Sequence, residues 1–292
     1  MATNGVFRQA LPPVLIGMPQ MGPCGLSENW LLRYLGDVHW QIICDGLNRR
    51  SRDMVDDAGN RLYASFARVR WSSTVPLSGY RESDNLTGTI EMLRFGGGVF
   101  VSTSQIFGEQ GTISATLASI FTRREGILND RLVVSAPPIF GACPIPNTDE
   151  SPAFLEEHRS IKAGKSKIHR FMDRAFETDS PADEVTSYQT NGYQDFNGAN
   201  LLYFVSYPTI ADICVSRTSL IAKQFGYARF VEGSSPLGRD IFYFGNANLG
   251  DWISCGLKLM NVDETSMSAR VDLVRAASGA LIGKQFVARG RP

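Results

Sequence analysis

The chain has 292 residues, of which 29 are Lys or Arg and 29 are Asp or Glu, so its formal net charge is zero. A dedicated nucleic-acid-binding protein normally carries a basic excess, and the charge balance therefore argues against that class. Apolar residues make up 43% of the chain and charged residues 20%, which is ordinary for a globular protein and too apolar for a disordered one.

The apolar segments and the cysteines predict a cytoplasmic protein that does not enter a membrane. The best apolar stretch, 201–215, is interrupted by Pro208 and Asp212 and is shorter than the ~20 residues that span a bilayer. The N-terminus lacks a basic segment followed by a long apolar one, so we expect no signal peptide. The five cysteines are scattered without a CxxC pair, which favours reduced thiols, and the three histidines show no metal-ligand spacing, so no metal is expected.

The first half of the chain reads as one buried helix followed by an antiparallel meander. The helix is predicted over 27–43, with Ser27 as its N-cap and Glu28 in the first turn, where the helix dipole favours an anion. Apolar residues extend nearly around this helix, which indicates burial. Turn signals then separate four strand-like segments: 62–71, 86–95, 98–107 and 112–121.

The middle of the chain has a different composition. Residues 138–185 begin with prolines and continue with many charged side chains, which predicts a linker between an N-terminal domain, 1–137, and a C-terminal domain, 186–292. Within the linker, residues 165–177 place apolar side chains on one face of a helix, including Ile168. A short amphipathic helix is therefore predicted there.

The second half repeats the pattern of the first. A helix is predicted over 200–214, kinked or restarted at Pro208. Leu201 and Leu202 align with Leu31 and Leu32 of the first helix. Four more strand-like segments follow: 240–247, 251–260, 266–276 and 280–290. The sequence thus predicts an α+β protein in which a helix followed by a meander occurs twice.

Three segments carry a resemblance to a known family: GLSENWLLRYLGDVHW at 25–40, RLYASFARVRW at 61–71 and DFNGANLLYFVSYPTIAD at 195–212. There the chain resembles the bifunctional acyltransferase/decarboxylases of polyketide biosynthesis, of the leinamycin-pathway type. The resemblance implies a tandem, or double, hotdog, in which a curved antiparallel sheet wraps a central helix in each half.

The resemblance also implies an activity. Such an enzyme takes methylmalonyl or malonyl from coenzyme A, releases CO2 and delivers propionyl or acetyl to the phosphopantetheine arm of an acyl carrier protein. Tyr63 matches the proposed catalytic tyrosine of the family. It would act as a covalent nucleophile or as a hydrogen-bond donor, a choice that the sequence leaves open. No bound cofactor is implied, since the coenzyme A thioester is the substrate.

Decarboxylation of a malonyl-type thioester leaves an enolate, which needs preorganised N–H donors. Backbone amides before the two helices and nearby asparagine amides would supply them. The predicted substrate-binding residues are Gly25, Leu26, Ser27, Asn29, Gly198 and Asn200.

Further catalytic candidates flank the same helix starts. Glu28 is either a first-turn acid or a base that faces the pocket, whereas Asp195 and Asn197 occupy the equivalent position in the second half. Capping and turn formation are the alternative roles of the latter two residues. Cys24 is a rival nucleophile. His39 is more simply explained as a buried histidine with hydrogen-bond partners.

Two other function classes stay open. A hotdog thioesterase would activate water with Glu28 or Asp195, and a dehydratase would pair a histidine with an acid. A hotdog without catalysis would only bind acyl groups or a carrier protein. The implied partners are an acyl-CoA and an acidic carrier protein, and the chain is a monomer or a homodimer. Basic residues at strand ends are candidates for contacts with the carrier protein or with coenzyme A phosphates: Arg123, Arg124, Arg289 and Arg291.

Overall fold

The structure is a computed structural model that describes residues 6–139, 142–262 and 266–290. Its helices are α1 (Glu28–Gly46), α2 (Ala153–Lys162), α3 (Ser206–Ser216), α4 (Ser219–Gln224) and α5 (Tyr227–Gly233). Its strands are β1 (Phe7–Ala10), β2 (Val14–Leu15), β3 (Met21–Gly22), β4 (Gly25–Leu26), β5 (Leu62–Ser73), β6 (Asn85–Phe95), β7 (Val99–Phe107), β8 (Thr112–Arg124), β9 (Leu132–Val134), β10 (Asn147–Thr148), β11 (Ile168–Phe171), β12 (Arg174–Glu177), β13 (Glu184–Gln189), β14 (Ser235–Tyr243), β15 (Trp252–Val262), β16 (Ser266–Arg275) and β17 (Ala280–Gly290).

One large sheet carries both halves of the described chain. Its strand order is β1-β6-β7-β8-β5-β14-β17-β16-β15-β13, and the two halves join where β5 pairs antiparallel with β14. The eight predicted strand segments correspond to β5–β8 and β14–β17, and β14 begins at Ser235, earlier than predicted. Alternating apolar residues form these strands because one sheet face must be buried against the helices.

Helix α1 is the central helix of the first half, as predicted. The Oγ of Ser27 accepts a hydrogen bond from the backbone N–H of Trp30 at 3.3 Å, so Ser27 is the N-cap. The helix continues to Gly46, and its buried residues include Leu31, Leu32 and Leu35. No helix in the described part of the chain is both long enough and apolar enough to cross a membrane.

Helix α3 is the central helix of the second half, but it begins later than the predicted residue 200. Proline has no N–H to donate, so Pro208 fits in the first turn of a helix that starts at Ser206. Asn200 has a left-handed backbone conformation, with φ of 57°, which is incompatible with the interior of a right-handed helix. Leu201 and Leu202 therefore precede the helix, and the predicted equivalence with the leucines inside α1 is wrong.

The amphipathic helix predicted over 165–177 is wrong, because this segment is the β11–β12 hairpin. Met172 and Asp173 at its tip both have positive φ, 50° and 57°, as type I′ hairpin turns require. His169 and Phe171 are buried while their neighbours are exposed, so the periodicity is that of a strand. The helix of this region is α2, which lies earlier.

The segment between the halves covers the sheet face opposite α1 and α3. Phe171 and Phe176 pack there against Phe242 and Phe286 of the sheet. Beneath them, Arg68 of β5 and Asp240 of β14 form a fully buried ion pair with Nη2 to Oδ2 at 2.7 Å. The pair bridges the two strands at which the halves meet.

His169 completes this buried cluster. Its Nε2 lies 3.1 Å from Oδ2 of Asp240, and its Nδ1 lies 2.8 Å from Oε1 of Glu157 on α2. Burial acts to lower the pKa of His169, but the two carboxylates outweigh it and raise that pKa above the ordinary value. The histidine thus ties the covering segment to the centre of the sheet.

Candidate active site

A cavity of 530 Å³ lies between the two halves. The first half contributes α1, β5 and β8, while the second contributes the loop before α3 and the end of β14, and α2 closes one side. This volume is in the usual range for a small-molecule site. Polar residues and a loop glycine in the lining include Asp37, Arg61, Tyr63, Asp130, Asn197 and Gly198.

Tyr63 lines this cavity from β5, where it pairs with Thr122 of β8. Its hydroxyl has no hydrogen-bond partner among the described residues, so it is available to a ligand. The guanidinium carbon of Arg124 lies 5.9 Å from the centre of the Tyr63 ring. A cation over an aromatic ring at this distance is attracted to its face.

The loop before α3 brings Asn197 and Gly198 to the same cavity. Oδ1 of Asn197 accepts hydrogen bonds from the backbone N–H groups of Ala199 and Leu201, at 3.0 and 3.1 Å. No described residue accepts from its Nδ2, so this amide retains a donor for a ligand. Asn200 is outside the lining, and its carbonyl accepts from the side chain of Asn129 at 2.6 Å.

A second cavity, of 630 Å³, adjoins the first and shares Asn197, Gly198 and Tyr203 with it. Asp195 lines the second cavity only. Its Oδ2 accepts from the hydroxyl of Tyr188 at 3.0 Å and from a loop backbone N–H at 2.6 Å. Burial first, and Asp195 second, raise the pKa of Tyr188 to about 12, so the tyrosine stays a donor. The Asp195 carboxylate therefore stabilises its own loop and does not reach the first cavity.

Glu28 lines neither of these cavities. Its carboxylate accepts two hydrogen bonds from Arg239, at 2.8 and 2.9 Å, and a third from Trp71 at 2.9 Å. Arg239 also binds Asp212 of α3 at 2.9 Å, and Arg289 binds the same carboxylate. Glu28 thus belongs to an ion-pair cluster between the halves and does not face the pocket as a base.

The other candidates around the start of α1 also fall outside the first cavity. Gly25 and Leu26 form β4, and Ser27 is the N-cap of α1. Gly25 has φ of 114°, and a Cβ there would lie 2.4 Å from the backbone of the 77–79 turn. Asn29 lines the second cavity, where its Nδ2 donates to Thr209 of α3 at 3.2 Å. Of the predicted site residues, the structure brings Tyr63, Asn197 and Gly198 together.

His39 is fully buried, and both ring nitrogens have partners: the hydroxyls of Ser102 at 2.7 Å and Ser119 at 2.8 Å. Burial lowers its pKa to about 3, so it is neutral near pH 7. The prediction of a buried, hydrogen-bonded histidine is confirmed. Cys24 is partly buried and lines neither cavity.

The three candidate basic contacts within the described residues have different surroundings. Arg289 is buried and binds Asp212 and the carbonyl of Ser234, which does not fit its candidate role in contacts with a carrier protein or with coenzyme A phosphates. Arg123 lies 3.9 Å from Asp56. Arg124 donates to the carbonyl of Ala199 at 2.6 Å. Arg291 lies outside the described residues.

Two residues that sequence reasoning did not select belong to the site. Arg61 lines the cavity two residues before Tyr63, and the alternation of strand side chains, which places both on one face, was the available signal. Asn129 lies in the loop after β8 and binds the backbone of both Asn200 and Ala247. No local pattern marks Asn129, because its partners are far along the chain.

No protein-family model and no curated protein matches this sequence. Solved structures do match over nearly the whole chain. The 12:0-ACP thioesterase from Umbellularia californica is 11% identical with a TM-score of 0.61, over 98% of this chain and 94% of that one. A candidate oleoyl thioesterase from Lactobacillus plantarum is 9% identical with a TM-score of 0.65, over 99% and 98%. At such identities the likeness shows the fold, and the predicted α+β double hotdog is confirmed.

Proposed function

We propose that this protein is an enzyme that processes acyl thioesters of coenzyme A or of an acyl carrier protein. The observation that carries the proposal is the 530 Å³ cavity between the halves, in which the Tyr63 hydroxyl and the Asn197 amide both keep free hydrogen-bonding capacity. Apolar side chains such as Leu202 and Phe204 line the same cavity and provide contacts for an acyl chain. An acyl thioester fits such a cavity because its acyl chain can contact the apolar side chains while its carbonyl group accepts hydrogen bonds from the free polar groups.

Hydrolysis is the first candidate reaction, because both similar structures described above are thioesterases or candidates for that activity. A hydrolase needs a group that orients and deprotonates water. Asp37 and Asp130 are carboxylates that line the cavity, and Asp130 is engaged by Arg275 at 3.1 Å. Within the part of the chain that the structure describes, Asp37 accepts a hydrogen bond from Gln41 of its own helix alone, at 2.7 Å, and is the carboxylate free to bind water. The Nδ2 of Asn197 would donate to the oxyanion that forms when water attacks.

Acyl transfer with decarboxylation is the second candidate, favoured by the unpartnered Tyr63 hydroxyl. In that reaction the tyrosine oxygen attacks the malonyl-type thioester and the thiolate of coenzyme A leaves with the tyrosine proton. Loss of CO2 gives an enolate, which takes up a proton. The thiol of the carrier protein then attacks the acyl-tyrosine, the bond between the acyl group and the tyrosine oxygen breaks, and the tyrosine takes up the proton of that thiol. Asn197 would stabilise the enolate oxygen in the same way as in hydrolysis.

The test is product analysis with acyl-CoA substrates, with and without a phosphopantetheinylated carrier protein. Hydrolysis gives free acid and coenzyme A, and depends on Asp37 in an Asp37→Asn comparison. Transfer gives CO2 and an acylated carrier protein, and Tyr63→Phe abolishes it along with any acyl adduct on the protein. Tyr227→Phe, on an exposed helix away from the cavity, is the matched control. Absence of turnover with every short and long acyl thioester would overturn the proposal.

A further inference from the structure

Two arginines flank Tyr63 without a carboxylate to neutralise them. Arg61 lines the cavity and is partly buried, as is Arg124 at the end of β8. Within residues 6–139, 142–262 and 266–290, neither guanidinium has a carboxylate oxygen within 4 Å. The neighbouring Arg123, in contrast, has its Nε 3.9 Å from Oδ2 of Asp56. Partly buried charges of this kind normally have a partner.

The strand register sets the two arginines against each other. Leu62 pairs with Arg123 and Tyr63 pairs with Thr122, so continuing the ladder by one residue places Arg61 opposite Arg124. Directly opposite side chains in an antiparallel pair have Cβ atoms about 5 Å apart, and like charges there are destabilising. The two arginines thus repel each other beside the cavity. An anion bound between the two guanidiniums would offset this repulsion.

Buried polar atoms without partners support the same conclusion. The Nε of Arg124 is buried and has no hydrogen-bond partner, although the same side chain donates to the carbonyl of Ala199. Acidic residues do line the cavity, but Asp130 is neutralised by Arg275, and Asp37 is more than 4 Å from both arginines. The unneutralised charge at Tyr63 is therefore positive.

We propose that Arg61 and Arg124 form a binding subsite for an oxyanion of the thioester ligand, beside Tyr63. The inference rests on the proposed function for the identity of the ligand. Guanidinium groups bind carboxylate and phosphate oxygens through paired N–H donors. The oxyanion is either a carboxylate at the far end of the acyl group or a phosphate of the phosphopantetheine or coenzyme A portion, and the experiment distinguishes the two.

The probes are four thioethers, which lack the reactive carbonyl and cannot turn over. S-(2-carboxyethyl)-CoA has both kinds of anion, S-ethyl-CoA has phosphates only, S-(2-carboxyethyl)-pantetheine has the carboxylate only, and S-ethyl-pantetheine has neither. Isothermal titration calorimetry compares wild type with Arg61→Gln. Arg123→Gln is the matched control, because it removes the same charge from the neighbouring strand β8 at a residue that does not line the cavity.

Arg61→Gln is expected to weaken binding about tenfold or more, the effect of losing a hydrogen bond to a charged group. A loss confined to the two carboxyethyl probes assigns the subsite to an acyl carboxylate, and a loss confined to the two CoA probes assigns it to a phosphate. Arg123→Gln should bind all four probes like wild type. Equal weakening of all four probes by Arg61→Gln, or no weakening of any, would overturn the subsite.

Stability provides a second readout that needs no ligand. Removal of one of two opposed positive charges should leave the unfolding midpoint of Arg61→Gln at or above that of wild type, whereas an arginine with a structural role would lower it. Should Arg61→Gln not fold, Arg61→Lys replaces it in the calorimetry, since lysine keeps the charge but loses paired donation. A folded wild type that binds none of the probes would overturn the proposed function and the subsite together. Normal binding by wild type and Arg61→Gln alike would overturn the subsite alone.

Discussion

Mild acid should destabilise this protein through His39. The ring is fully buried on α1 between two serine hydroxyls, and no carboxylate contacts it. Neutral imidazole has one donor and one acceptor nitrogen, so one serine donates to it and the other accepts. Protonation would turn both nitrogens into donors and place a positive charge in an apolar layer. The folded state therefore resists protonation at this site.

The pKa of the His39 ring differs between the folded and the unfolded protein, and this difference sets the pH dependence of the free energy of unfolding. An unfolded histidine titrates near pH 6.5, whereas burial lowers the pKa of His39 to about 3 in the folded protein. Between these values the unfolded chain binds the proton and the folded chain does not, so stability present above pH 6.5 is lost as the pH falls. From pH 7 to pH 5 the free energy of unfolding should drop by about 2 kcal/mol through this residue.

Urea denaturation of wild type and His39→Gln at pH 7 and pH 5 measures this effect. Glutamine keeps an amide donor and acceptor for the serines but does not titrate. The other histidines titrate in both proteins, so their effects cancel in the difference. The variant should be less stable than wild type at pH 7. The difference between their free energies of unfolding should be about 2 kcal/mol smaller at pH 5. An identical pH dependence of the two proteins would refute the reasoning.

Three further perturbations have expected outcomes. Glu28→Gln leaves Arg239 buried with a weakened partner set and should lower the free energy of unfolding by about 3–5 kcal/mol; a urea midpoint like that of wild type would contradict this. Gly36→Ala places a Cβ 2.5 Å from an aromatic ring before α3 and should cost about 1–3 kcal/mol in the same assay, with a wild-type midpoint as the contrary result. The pKa of His169 is raised, so its pairing with Asp240 stabilises the fold below pH 6.5 and this stability is lost as the pH rises through the folded value. The thermal midpoint should therefore fall more steeply above pH 7 in wild type than in His169→Gln, and parallel curves would count against the pairing.

Strong periodicity explains why the central elements were predictable. The N-cap at Ser27 and the apolar circumference of α1 are local properties, and so is the alternation in β5–β8 and β14–β17. The β11–β12 hairpin was not predictable in the same way, because a segment of this length with apolar side chains near every third and fourth position also matches a helix. The contact of buried His169 with Asp240 favours a strand over a helix in this segment. That contact joins residues distant in the sequence, so no local pattern shows it.

The candidate site was predictable only in part, for a related reason. Tyr63 and Asn197 reach one cavity because β5 and the loop before α3 meet across the two halves, and no local pattern shows that meeting. Strand alternation places Arg61 on the same face as Tyr63, but the lack of an acidic partner for Arg61 is visible only in three dimensions. Charge balance is a property of the folded site, so an unneutralised arginine cannot be recognised from the neutral total of the chain.

The contacts of Glu28 give the start of α1 a structural role. The helix dipole favours an anion there, and the fold uses that anion to hold Arg239 next to Asp212 of the second half. Burial acts to raise the pKa of Asp212, but Arg239 and then Arg289 hold that pKa below its ordinary value, so Asp212 is an ionised partner of both arginines. Glu28 already accepts three hydrogen bonds in this cluster, from Trp71 and Arg239, so its carboxylate serves to join the two halves. The cavity on which the proposed function depends lies instead along the middle of α1, where Asp37 and Tyr63 are both part of the lining.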